Sequence, residues 1–232
     1  MVENEERRRA HRQKRGLRRR EEILRAAGAL FAEVGYDRAT TNLVAERAGV
    51  SPGSLYQFFP NKEAIAQAYA ADAVAHLHGV YDALLAAPVI ALPFPDFVDR
   101  FVDDLLAFNR RFPGYLALAL ASTISAPLAE ALMAFQRGVF GRLDAILAAL
   151  WPGSRPEQRR LPILFGQRTF VALLPFTHLD DGEKRDAVVR EIKTMVRRYW
   201  GPLVDAPDPS VLPALSVADA SHRSGSREQS LP

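Results

Sequence analysis

Apolar side chains recur at intervals of three and four along most of the chain, and the polar–apolar alternation of half-buried strands is missing. Ile23, Ala27, Leu30, Phe31 and Val34 mark one face of a first helix, which Gly35 ends. Leu43, Val44 and Ala48 fall on one face of a second, opened by the hydroxyls of Thr40 and Thr41 and stopped by Gly49. Ser51 is an N-cap followed by proline at the first helical position, so a third helix is predicted over 52–58 with Leu55 and Phe59 inward. A long fourth helix starts near Asn61 and carries Ile65, Ala68, Tyr69, Val74 and Leu77 to about residue 85. Pro88, Pro93 and Pro95 interrupt the next stretch; Phe97, Phe101, Leu105 and Phe108 then stripe another helix, and Pro113 and Pro127 punctuate two more. Helices are predicted over 128–150, 155–179 and 184–200. The reading is an all-α chain with an N-terminal three-helix helix-turn-helix domain (17–60) and a C-terminal helical domain (61–204), followed by a disordered tail (205–232) rich in Pro, Ser and Ala.

The corner at Ala48-Gly49-Val50 sets the chemistry. A glycine there adopts positive φ without a Cβ clash, so the chain turns sharply and presents the third helix outward. Ser51, Pro52, Gly53 and Ser54 give that helix a small end which lets its backbone approach a partner closely, while Tyr56 and Gln57 carry donors and acceptors outward. Such a helix suits the DNA major groove, where glutamine can pair bidentately with adenine. Asn61 and Lys62, at the start of the fourth helix, combine free backbone amides with a positive charge and suit a phosphate. Thr40 and Ser51 would cap helices in any protein, and Tyr56 would also serve as a half-buried core ring.

Taken together, the segments LRRREEILRAAGALFAEVGYDRAT, TTNLVAERAGVS and PGSLYQFFPNKEAI resemble the DNA-binding domain of TetR-family transcriptional regulators over roughly the first seventy residues. The resemblance implies DNA contacts from Thr40, Thr41, Ser54, Tyr56 and Lys62, with Asn42 and Gln57 in the more variable base-reading places. Phe58 departs from the histidine or tyrosine of many members, which removes one phosphate hydrogen bond. The family also implies a small-molecule effector site between the C-terminal helices and a homodimer built from the last two, over about 156–179 and 184–200. Gly166 would let the partners approach, and Arg197, Arg198, Tyr199 and Trp200 would close the rim.

Charge is distributed as a DNA partner requires. The first sixty residues hold 12 Lys/Arg against 8 Asp/Glu and the remainder 18 against 19, so the positive excess is N-terminal. Residues 7–20 hold nine basic side chains and no acidic one, which reads as a disordered basic arm (1–16) able to track phosphates. The absence of cysteine leaves no disulfide or thiolate metal site and fits a reducing, cytoplasmic setting. No run approaches the roughly 18 apolar residues of a membrane span.

Polar residues set into apolar helices are the candidate effector contacts: Arg100, Gln167, Arg168 and His178, with Asp103, Asp104 or Glu130 as ion-pair mates should the arginines be structural. No cofactor or metal is expected, because no glycine-rich phosphate loop, GxSxG or HExxH is present, and Asp180-Asp181-Gly182 reads as a turn. The sequence therefore predicts a DNA-binding regulator, a repressor released by an effector. An architectural DNA binder without ligand and an enzyme with a structural helix-turn-helix are the alternatives.

Overall fold

A computed structural model describes residues 2–119, 121, 125–178 and 181–205, and every regular element among them is helical. The helices are α1 (Val2–Val34), α2 (Thr41–Arg47), α3 (Pro52–Tyr56), α4 (Lys62–Leu85), α5 (Ala87–Ile90), α6 (Phe94–Arg111), α7 (Tyr115–Ala119), α8 (Ala126–Leu150), α9 (Pro156–Leu173) and α10 (Gly182–Val204), with a 3-10 turn over Leu174–His178. No helix among the described residues is long and apolar enough to cross a membrane. The chain divides into two compact units, 1–142 and 143–232, and the division falls inside α8.

In the first unit α1 packs on α2, α4 and α7, and α4 packs on α6 and α7. Ile23, Ala27, Leu30, Phe31, Val44, Leu55, Phe59 and Ile65 are buried around a common core. Each large member contributes about 1.5–3 kcal/mol by leaving water. The end of α2 shows why Gly49 is needed. Its φ is +64°, its N–H reaches Glu46 O at 3.1 Å, and the Val50 N–H reaches Ala45 O at 3.0 Å, which satisfies two terminal carbonyls and reverses the chain.

A tight approach in this unit joins three elements. A Cβ on Gly114 would lie 2.4 Å from Gly28 O and 2.9 Å from Phe31 Cβ, and a Cβ on Gly28 would lie 2.3 Å from the Tyr69 ring. The Gly114 N–H also donates to the buried Tyr69 hydroxyl at 3.1 Å. The turn between α6 and α7 is thus pressed directly onto α1 and α4.

The second unit is held by α9, the 3-10 turn and α10. Trp200 is buried, with its indole N–H 3.5 Å from Pro162 O, and its ring packs beside Gly166, where a Cβ would meet it at 3.4–3.6 Å in ordinary contact. Arg159 is buried and grips both carboxylate oxygens of Asp144, at 2.8 and 3.0 Å, while also donating to Ser154 O and Oγ.

Four sequence expectations change. The basic segment 1–16 continues α1 as helix from Val2 instead of forming a disordered arm, since it is rich in Arg, Glu, Gln, Lys and Ala and carries no proline. The recognition helix stops at Tyr56, two residues short of 58. The helix predicted over 155–179 ends at Leu173, and the segment around Pro175 tightens into the 3-10 turn. Leu43 is 41% exposed, and Ala45 takes its place on the inner face of α2. The tail expected over 205–232 lies, beyond Asp205, outside the described residues.

Candidate nucleic-acid interface

Four local caps position the outward surface. Thr40 Oγ1 accepts from Leu43 N at 3.2 Å, Ser51 Oγ from Ser54 N at 3.1 Å, and Asn61 Oδ1 from Ala64 N at 2.8 Å. A hydroxyl that accepts one bond still has a hydrogen to donate, so capping by Thr40 and Ser51 leaves each able to reach a phosphate oxygen. The fourth cap is the glycine stop at Gly49, which sets the angle between α2 and α3.

Thr40, Asn42, Ser51, Pro52, Gly53, Tyr56 and Gln57 are exposed; Thr41 and Ser54 are half-buried. Leu55 and Phe59 anchor the opposite side of α3 in the core. Tyr56 is 50% exposed, and its hydroxyl lies 3.1 Å from Thr41 Oγ1. That bond joins the first turn of α2 to the last residue of α3, so two of the predicted contacts hold one another.

Lys62 has a different environment from a free phosphate ligand. It is half-buried, its ammonium donates to Tyr36 O at 2.9 Å and Asp37 O at 3.3 Å, and it sits 4.3 Å from the Tyr36 ring centroid. These contacts clamp the turn that follows α1 to the start of α4. Burial raises the Tyr36 pKa above its ordinary value, with Glu63 and Asp37 adding to the effect. Neighbouring cations are also engaged: Arg47 pairs with Glu33, and Arg20 pairs with Asp72 at 3.6 Å while lying 5.7 Å from the Phe59 ring centroid.

The residues singled out for an effector are divided between the units, Arg100 in the first and Gln167, Arg168 and His178 in the second. The Arg100 side chain is 54% exposed and bonded to Asp104 at 2.6 Å, an ion pair one helical turn apart; this is the structural alternative, and it removes Arg100 from any buried site. Gln167 is half-buried and Arg168 exposed, both in the second unit. His178 ends the 3-10 turn, and its side chain lies outside the described residues. The sequence reasoning missed Leu43, whose exposed isobutyl group stands on α2 beside Asn42, and it missed Tyr69, Gly114 and Tyr115, which nothing local in the sequence distinguishes from ordinary core.

Comparison with known proteins gives a consistent result. Residues 23–69 match the family described as bacterial regulatory proteins, tetR family, and residues 93–199 match the tetracyclin repressor-like C-terminal domain. The HTH-type transcriptional repressor KstR2 of Mycolicibacterium smegmatis is 36% identical over 67 residues, which is 29% of this chain and 33% of that protein. The matched part thus spans about a third of this curated relative's length. A TetR-family transcriptional regulator from Streptomyces coelicolor has 28% identity and a TM-score of 0.51 over 80% of this chain and 99% of its own. The TetR-family regulator PfmR from Thermus thermophilus shares the fold, with a TM-score of 0.58 at 19% identity over 76% of this chain and 97% of its own.

Proposed function

Since the chain belongs to the TetR family of transcriptional regulators, we propose that it is a homodimeric repressor which a small-molecule effector releases from its operator. The observation that carries the DNA-reading half is the outward face of α3, with Tyr56 and Gln57 exposed and Tyr56 bonded to Thr41. In this reading Thr40, Thr41, Ser51 and Ser54 fix the backbone, with Pro52 and Gly53 admitting close approach. Asn42 and Gln57 read base edges. Repression is supported by similarity to a relative that is itself a repressor.

A pair of subunits is supported by apolar exposure in the second unit. Phe165 on α9 is 59% exposed, Phe176 in the 3-10 turn 53%, and Tyr199 on α10 is also exposed. A two-fold dimer would bury these rings and place two recognition helices in successive major grooves about 34–36 Å apart. The deciding experiment is selection of DNA from a random-sequence pool by the full-length protein, with sedimentation of the complex. An enriched inverted repeat bound by two chains is expected. Failure to retain any duplex at low ionic strength would overturn the reading.

A further inference from the structure

Two buried polar atoms in the first unit have no hydrogen-bond partner among the described residues, and both belong to side chains packed on one phenyl ring. Tyr115 meets Phe135 edge-on at 4.8 Å between centroids, with its hydroxyl buried and unpartnered. His78 stacks on the same Phe135 ring at 6.2 Å, and its Nε2 is likewise buried and unpartnered. A Cβ on Gly138 would stand 3.2 Å from that nitrogen, so any side chain there would crowd it. Phe108 borders Tyr115 at 6.3 Å. An unpaired buried polar group is costly to maintain, and a ligand that supplies the missing partner recovers that cost on binding.

We infer that the effector is an uncharged ring-bearing compound whose oxygen accepts hydrogen bonds from the Tyr115 hydroxyl and His78 Nε2 beside the Phe135 ring, an inference that rests on the effector-responsive reading above. The aromatic surroundings favour a flat apolar body. Charge favours a neutral oxygen: Arg142, whose Nη1 borders the same space, is balanced by its pairing with Asp82 at 3.2 Å, so a buried carboxylate would add an uncompensated negative charge. The site is also placed to be read by the DNA-binding helices. Tyr115 directly follows Gly114, which touches Gly28 of α1 and bonds the hydroxyl of Tyr69 on α4. An oxygen that draws Tyr115 toward itself moves the peptide wedged against both helices. The effector can shift the equilibrium only by its different affinity for the two positions of that wedge.

The test uses the full-length protein with acetophenone, ethylbenzene and benzoate, which share a ring and differ in the neutral, absent or charged oxygen. Acetophenone is expected to raise the melting temperature and to weaken binding to a pool-selected duplex by about tenfold, while ethylbenzene and benzoate do neither. Tyr115→Phe keeps the ring and should melt no lower than the parent, because its hydroxyl has no partner to lose, yet it should lose the acetophenone response. Gly138→Ala should lose the response by covering Nε2, and it decides the matter should the first variant fold poorly. No response of the parent to acetophenone, an equal response to benzoate, or an undiminished response in both variants would overturn the assignment. A different compound that releases DNA from Tyr115→Phe would sink this site and leave the effector-responsive reading intact.

Discussion

Thr41 Oγ1 and Tyr56 OH lie 3.1 Å apart, closing the helix-turn-helix on the side it turns to solvent. Tyr56→Phe keeps the ring and deletes the bond. Losing the bond between α2 and α3 should cost about 0.5–1.5 kcal/mol of stability, and losing the hydroxyl as a DNA contact should weaken duplex affinity roughly two- to tenfold. Titration of labelled operator DNA, paired with a melting curve, checks both halves of the expectation.

Lys62 separates two roles that the sequence could not. With its ammonium held by two carbonyls, Lys62→Met should destabilise the fold by about 1–2 kcal/mol and weaken all duplexes alike. Because the clamp carries the effect, the slope of log affinity against log salt should stay where it was. A slope reduced by about one unit would instead assign the residue to a phosphate.

The helical basic extension is accessible to the same measurement. Deleting residues 2–15 removes most of the N-terminal positive excess, and the first buried residue among those described is Ile23. The shortened protein should melt near the parent temperature and show a distinctly shallower salt slope. An unchanged slope would make the extension a bystander.

Arg159→Ala leaves Asp144 without the guanidinium that grips both its oxygens and frees Ser154 at the turn before α9. Removing one partner of a largely buried pair costs about 3–5 kcal/mol, and the partial exposure of Asp144 points to the lower end. Denaturant unfolding of the second unit's tryptophans, Trp151 and Trp200, reports the loss. Arg159→Lys should recover only part of it, since an ammonium cannot make the forked contact.

His78 gives a pH dependence. Burial, reinforced by Arg142, lowers its pKa below the ordinary 6.5, while Asp82 opposes the shift. The unfolded chain then binds the proton more readily than the folded one, so stability is full above about pH 6.5 and declines as pH falls below it. His78→Gln should flatten that part of the profile in melting curves between neutral and mildly acidic pH.

What could be read from the sequence follows the range of the interactions. Thr40, Ser51, Asn61 and Gly49 act on residues three to five positions away, so their caps and the corner were legible. Helix periodicity likewise identified Phe97, Phe101, Leu105 and Phe108 as buried. Leu43 was misplaced because α2 spans only seven residues, too few for its apolar stripe to fix which side faces inward. Arg100 looked like a ligand contact because Phe97 and Phe101 flank it, yet one turn further on Asp104 satisfies it at the surface. The bond of Gly114 to Tyr69 joins residues 45 apart, and no local signal announces it.

Because a side chain on Gly114 would strike the Gly28 backbone and one on Gly28 would strike the buried Tyr69 ring, mutational drift at both positions is barred. A chimera that grafts a foreign DNA-reading segment onto this regulatory portion must therefore keep glycine on both sides of that seam. Operator specificity can be exchanged here only among donors that already share it.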